Sequence, residues 1–141
     1  MSLAEEIYPG CLRGGRKDVF DSPYDYTPIL KSFGNIAVRE DENDYQGDSW
    51  VLYDNQGRIG YLCFGWGSCS GCDALQACDS YAEIDDLIDS LRNRVKWFDS
   101  KFDALEWFKS HDWEGDYCAD IDDFKKFLSK ALSYLTAPGH S

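Results

Sequence analysis

The sequence predicts an α+β fold: a small antiparallel sheet containing a β-hairpin, followed by a helical C-terminal half packed on one side of it. Three observations predict it. The 141 residues are enough to bury one core, so we expect a single domain. Two β-prone runs around a turn predict the hairpin over about 49–64. From about residue 72 onward, the apolar residues recur with a helical period.

The N-terminal segment, residues 1–35, is expected to be irregular apart from one short helix. Residues 27–34 (TPILKSFG) are typical of such a helix, with Thr27 as its N-cap, Pro28 as its first residue and Gly34 as its left-handed stop. The first three and last four residues are expected to be chain ends without a structural role.

The sheet is expected within residues 36–64. Residues 36–39 (IAVR) predict a strand, and residues 49–53 and 58–64 predict two more. The last two flank the turn sequence Asp54-Asn-Gln-Gly57, and this arrangement is typical of a β-hairpin.

Helices are expected over residues 72–135. Ser80 and Glu83 form a capping box at the start of the first helix. Its apolar stripe is Ile84, Leu87, Ile88, Leu91, Val95 and Phe98. A second helix is expected over about 100–110, with Phe102, Leu105 and Phe108 facing inward. A third is expected over about 121–135, with Phe124, Phe127, Leu128, Ala131 and Leu135 buried.

The charge of the chain is strongly acidic and uneven. Its net charge is −12, and residues 41–141 have nine basic and twenty acidic side chains, a balance of −11. Such a field repels phosphate backbones and therefore disfavours direct binding of nucleic acid. It favours a basic protein partner, although acidity that only keeps the protein soluble is an open alternative.

The sequence predicts a cytoplasmic protein. No run of about 18 apolar residues is present, so no membrane span is expected. The first residues, MSLAEE, lack the basic and apolar regions of a signal peptide. In a reducing compartment the six cysteines are expected to stay reduced.

The most unusual stretch is residues 65–78 (GWGSCSGCDALQAC). A C-x-x-C pair between a strand and a helix is the placement used by thioredoxin-like redox enzymes, but no βαβ unit or facing proline accompanies it here. A zinc ion could use Cys69 and Cys72, although a second close pair is missing. Buried, inert thiols under a glycine-rich turn are the favoured interpretation. The candidate ligand-binding residues of this stretch are Trp66, Cys69, Ser70, Cys72 and Asp73.

Two acidic corners share the pattern D-aromatic-[QE]-G-D. Asp44 and Asp48 bound the first acidic corner, residues 44–48, and Asp112 and Asp116 bound the second, residues 112–116. Such carboxylates could bind calcium or act as general acid and base. We favour simple tight turns in which the glycine takes a positive φ. If the corners meet beside the cysteine loop, they would form an acidic, aromatic pocket with His111 at its edge.

These same motifs give the chain a family resemblance. Through DYQGD at 44–48, YLCFGWGSCSGCDALQ at 61–76 and HDWEGD at 111–116, it resembles small uncharacterised proteins encoded by phages and by bacterial genomes that carry them. The likeness covers roughly residues 41–117. It implies a bacterial cytoplasm and a viral accessory role, and no catalytic residue follows from it.

The leading hypothesis is a non-enzymatic, acidic accessory protein that binds a basic protein partner through its acidic half, without a cofactor. No complete catalytic set is present, which favours binding over catalysis. The alternative is a small-ligand or metal-dependent enzyme, with zinc or calcium, whose site combines the cysteine loop with the two acidic corners.

Overall fold

The computed structural model describes residues 2–9, 23–44, 46–67, 73–113 and 120–137. One antiparallel sheet has the strand order β1-β2-β3-β4, with β1 at Ile36–Asp41, β2 at Gly47–Asn55, β3 at Arg58–Trp66 and β4 at Lys96–Phe98. The helices are α1 (Leu3–Ile7), α2 (Thr27–Ser32), α3 (Tyr81–Arg94), α4 (Lys101–Ser110) and α5 (Asp122–Thr136). The predicted α+β class is confirmed. None of these helices combines the length and apolar character that crossing a bilayer requires.

The predicted hairpin is formed by β2 and β3, and both strands are longer than the sequence indicated. Asn55 pairs with Arg58, so only Gln56 and Gly57 form the turn. Both turn residues have positive φ, 56° and 94°, as a type I′ hairpin turn requires. The Asp54 carboxylate accepts a hydrogen bond from the Gly57 amide at 2.8 Å, which fixes the turn further.

Helices cover both faces of the sheet, and the expectation that they pack on one side is wrong. Strand side chains alternate between faces, so Val51 and Tyr53 join one core while Trp50 and Leu52 join the other. The first core is completed by residues of α1, α2 and α3, and the second by residues of α4 and α5. The chain changes face after α3 because β4 takes it along the edge of the sheet.

The first long helix is shorter than its predicted apolar stripe, because the last part of that stripe belongs to strand β4. Helix α3 ends at Arg94, and Val95 is extended, with φ −66° and ψ 125°. Val95 packs in the first core, whereas Phe98 packs on the second, so the apolar stripe does not continue as one helical face. Trp97 lies over Gly60, where an added Cβ would come within 2.7 Å of the indole ring. The glycine leaves room for this ring on the sheet.

The N-terminus is more ordered than predicted. The Ser2 hydroxyl caps α1 by accepting a hydrogen bond from the Glu5 amide, and Ala4 is fully buried. The Ala4 amide donates to the Asp85 carboxylate of α3 at 3.0 Å. The opening residues 2 and 3 therefore have a structural role that their composition did not indicate.

Two details of the predicted helices are also wrong. Thr27 does not cap α2, because its hydroxyl accepts a hydrogen bond from the Arg39 guanidinium at 2.8 Å. Phe102 is 68% exposed, since the buried face of α4 follows Ala104 and Phe108, and position 102 points away from it. The predicted stop at Gly34 has the expected positive φ, 151°.

Candidate functional site

The predicted site residues fall partly outside the described chain. Four of them lie outside the described residues, namely Cys69, Ser70, Cys72 and Asp116. The zinc site predicted at Cys69 and Cys72 therefore also lies outside the described residues. Within the ranges that the structure describes, no group of three His, Cys, Asp or Glu side chains is placed to hold a metal ion. The described candidates are Trp66, Asp73, Asp44, Asp48, Asp112 and His111.

Asp73 is a buried carboxylate that binds the chain's own donors. It is 3% exposed. It accepts hydrogen bonds from the Gly67 amide at 2.8 Å, the Gln76 amide at 2.9 Å and the Tyr26 hydroxyl at 3.2 Å. The same hydroxyl accepts one from the Leu75 amide at 3.2 Å. Burial, and then the nearby Asp73 charge, raise the pKa of Tyr26 far above its usual range, so it stays a donor. We call this arrangement the Asp73 clamp.

The Asp73 clamp fixes both ends of the segment between Gly67 and Asp73. The Gln76 side-chain amide also donates to the Gly67 carbonyl at 3.1 Å, so two bonds join the ends. Just before the segment, Trp66 is buried and its indole N–H donates to the Ser49 hydroxyl at 2.9 Å. Trp66 and Asp73 therefore have their side chains inside the protein, one on each side of this segment.

The residues after the cysteine pair do not open a long helix. Residues 74–77 form a turn, and α3 begins only at Tyr81. The placement of a thioredoxin-like active site, with a helix N-terminus directly behind the cysteine pair, is therefore not present. Ser80 caps α3 as predicted, accepting a hydrogen bond from the Glu83 amide at 3.2 Å.

Cys78 matches the interpretation of the thiols as packing. It is buried in the first core, and its thiol lies 3.2 Å from the Ala74 carbonyl oxygen. Burial, reinforced by the charges of Glu83 and Asp73, raises the pKa of Cys78 to about 11. A thiol with that pKa is almost entirely protonated near neutral pH and is a poor nucleophile.

The first acidic corner includes the end of the connection between β1 and β2 and the first two residues of β2. Glu42 organises it: its amide donates to the Asp48 carbonyl at 2.9 Å, and its carboxylate accepts from the Asp48 amide at 3.1 Å. Asp44 is exposed. The expected positive φ at the glycine of this corner is wrong, because Gly47 already lies in β2. A Cβ there would collide with the Glu42 side chain.

The second acidic corner follows α4 and begins with exposed Asp112. Trp113 donates its indole N–H to the Phe108 carbonyl at 2.9 Å, and its ring packs 5.1 Å from that of Phe124. The neighbouring Asp123 accepts a hydrogen bond from the Asn43 amide at 2.9 Å. The chain around both corners thus contacts the first turn of α5.

A cleft lies beside the second corner, on the α4 side of the sheet. Its volume is about 460 Å³, and we call it the aromatic cleft. The described residues that line it are Tyr61, Cys63, Arg94, Lys96, Trp107, His111 and Trp113. His111 lines this cleft, which differs from the acidic pocket at whose edge the sequence placed it. The described lining residues are basic and include no carboxylate, so they do not form the acidic pocket that the sequence suggested.

The basic groups of the aromatic cleft are fixed without acidic partners. The Lys96 ammonium lies over the rings of Phe98 and Trp107, 5.4 and 5.6 Å from their centroids. Arg94 donates to the Cys63 carbonyl at 3.0 Å. In the described part of the chain, neither cation forms an ion pair. His111 stacks on Trp107, with centroids 4.6 Å apart.

Sequence reasoning missed this cleft because no short motif sets its residues apart. Arg94 and Lys96 follow an acidic first half of α3, and this order is what the helix dipole favours. Tyr61 and Trp107 are 46 positions apart and come from different elements, so no local pattern joins them. One signal was available in the sequence. Arg94 and Lys96 are two residues apart at the end of a helix, and in extended chain such residues lie on the same side.

A second surface, which we call the acidic face, is formed by exposed carboxylates of α1 and α3. The Ala4 amide donates a hydrogen bond to the Asp85 carboxylate, and the Tyr81 hydroxyl donates one to the Tyr8 carbonyl at 2.6 Å. The start of α1 therefore lies beside position 85 and its end beside position 81, so the two helices run in opposite directions. The exposed carboxylates are those of Glu5, Glu6, Glu83, Asp86 and Asp89. Among the described residues, only Asp89 of this set forms an ion pair, with Arg92 at 2.7 Å.

Comparison of the chain with protein-family models, with curated proteins and with solved structures gives no match. Any function assigned to the chain therefore has to come from the geometry and charge of its own residues.

Proposed function

We propose that the protein is a non-enzymatic accessory factor that binds a basic protein partner through the acidic face. The observation that supports this is the exposure of Glu5, Glu6, Glu83 and Asp86 on two packed helices, with no ion pair to any Lys or Arg of the described chain. Like charges on adjacent helices repel one another, and a basic partner relieves that repulsion.

The overall charge of the chain supports the same proposal. A net charge of −12 steers basic proteins toward the surface and raises their association rate. The same field opposes the approach of nucleic acid phosphates. The proposal includes a bacterial cytoplasm as the setting, which is the setting expected if the three sequence motifs belong to phage-encoded proteins.

The alternative enzyme gains no support from the described residues. Asp73, a candidate ligand-binding residue beside the cysteines, is buried and accepts three hydrogen bonds from the chain itself. Its lone pairs are therefore used in structure rather than in binding a metal or a substrate.

The test compares two variants with the same change in net charge. The first variant, Glu6→Gln with Asp86→Asn, neutralises two carboxylates of the acidic face. The control variant, Asp99→Asn with Glu106→Gln, neutralises two exposed carboxylates on the other side of the sheet. Binding of an oligolysine peptide is measured by calorimetry at rising salt concentrations.

The first variant should weaken binding by roughly threefold to tenfold at low salt, since exposed ion pairs contribute about 0.2–1 kcal/mol each. The control should change it less than twofold, and all affinities should fall as salt rises. Equal losses in both variants would show that net charge alone governs binding, and the proposed face would then be wrong.

A further inference from the structure

We propose that the aromatic cleft is a binding site for a small planar organic anion, namely an aromatic ring that bears one carboxylate or phosphate. The cleft lies on the opposite side of the sheet from α1 and the body of α3. This inference is therefore independent of the proposed function, and either can fail alone.

The charge of the cleft carries the inference. In a chain of net charge −12, Arg94 and Lys96 are two residues apart and line one cleft, with His111 as a third basic group. Neither Arg94 nor Lys96 forms an ion pair among the described residues. An ammonium placed over aromatic rings keeps its N–H donors available for an anion.

The walls of the cleft select a planar body for that anion. The Trp107 and Trp113 rings meet at 88°, with centroids 5.6 Å apart, and Tyr61 lies edge-on to Trp113 at 6.2 Å. Such a corner offers ring faces and edges against which another ring packs favourably. Aromatic walls with a few convergent polar groups are the usual composition of small-ligand sites.

The size and surroundings of the cleft favour a small ligand over nucleic acid. A volume of about 460 Å³ is within the range of small-molecule pockets. A polyanion would extend beyond the two cations into the negative field of the remaining chain, which opposes it. A single carboxylate or phosphate group matches the two cations of the cleft, and a long row of phosphates does not.

The experiment measures binding of 2-naphthoate to the purified chain by isothermal titration calorimetry. The uncharged 2-naphthamide and the non-aromatic cyclohexanecarboxylate are compared with it, so that charge and planarity are tested separately. Alkylation of Cys63, which lines the cleft, is followed by peptide mass spectrometry as a second measurement. Bound naphthoate should protect this thiol.

We expect 2-naphthoate to bind roughly tenfold more tightly than either analogue. Lys96→Gln should weaken its binding about threefold to fivefold, and adding Arg94→Gln about tenfold in total. Lys31→Gln, which removes the same charge from α2 on the other face, should change binding less than twofold. The Lys96 ammonium forms no hydrogen bond among the described residues, so the single variant should fold normally.

Any one of four results would overturn the inference. One is the absence of naphthoate binding at millimolar concentration. Another is equal binding of the amide, or no loss in Lys96→Gln, because either result would remove the role of charge. The last is tighter binding of single-stranded oligothymidylate, which would assign the cleft to nucleic acid instead.

Discussion

Replacing Asp73 by alanine tests whether the Asp73 clamp stabilises the fold and fixes the cysteine loop. The carboxylate accepts hydrogen bonds from the Gly67 amide, the Gln76 amide and the Tyr26 hydroxyl, over distances of 2.8–3.2 Å. Alanine removes the acceptor from all three donors at once. It also leaves a space in the first core at a position that is only 3% exposed.

The expected loss follows from the environment of each donor. A buried donor without a partner costs about 1–3 kcal/mol, and the Gly67 amide is such a donor. The Gln76 amide is only partly buried, so water can replace part of its bond. The Tyr26 hydroxyl still accepts a hydrogen bond from the Leu75 amide, but its own buried O–H loses its acceptor. Together these give a loss of about 3 kcal/mol in the free energy of unfolding, or a fall in Tm of roughly 10 °C.

The assay is guanidinium unfolding followed by tryptophan fluorescence, with hydrogen exchange at the Gly67 amide as a local measurement. Asp73→Asn, which keeps one oxygen acceptor, should lose about half as much as Asp73→Ala. Asp86→Ala removes an exposed carboxylate from α3 and should change stability by at most about 0.5 kcal/mol. A loss below about 1 kcal/mol in Asp73→Ala, with the Gly67 amide still protected, would refute the clamp.

Two further predictions concern a glycine and a thiol. Gly60→Ala should cost about 1–3 kcal/mol in the same unfolding assay, because its Cβ would meet Trp97 at 2.7 Å, whereas Gly65→Ala should be tolerated with its nearest contact at 3.4 Å. Equal losses at both glycines would contradict this. Folding raises the pKa of the Cys78 thiol from 9.0 to about 11, so the protonated thiol contributes to the free energy of unfolding. This contribution should be complete below pH 9.0 and should disappear as pH rises toward 11. Fast alkylation of folded Cys78 by iodoacetamide at pH 8 would be the contrary result.

The sequence was sufficient for elements whose signals are local. The hairpin has a two-residue turn at Gln56 and Gly57, and α3 has its capping box at Ser80, so both could be placed from short patterns. Strand β4 could not, because three residues are too few to show alternation. Val95 and Phe98 also continue the helical spacing of α3, although they pack on opposite faces of the sheet.

The candidate site was less predictable because its contacts join distant parts of the chain. Asp73 was expected to be a ligand residue next to the cysteines, yet its partner Tyr26 is 47 residues away and no local pattern indicates it. His111 was expected at the edge of an acidic pocket, and it lines a cleft whose described residues are basic. Lys96 contributes to the positive charge of that cleft. From the sequence, its position was already explained by the favourable interaction of basic residues with the C-terminal end of the α3 dipole.

The shortness of β4 explains why a basic cleft exists in so acidic a protein. Among the described residues, β4 pairs only with positions 59–61 of β3, so the Cys63 carbonyl beyond them has no bond from β4. Arg94 bonds that carbonyl instead, at 3.0 Å, and its position is two residues before Lys96. A longer β4 would pair a backbone amide with that carbonyl and would leave no such role for the Arg94 side chain. The passage from the end of α3 into β4 therefore brings Arg94 and Lys96 to one cleft. For this reason we place the anion site there and not at the acidic corners.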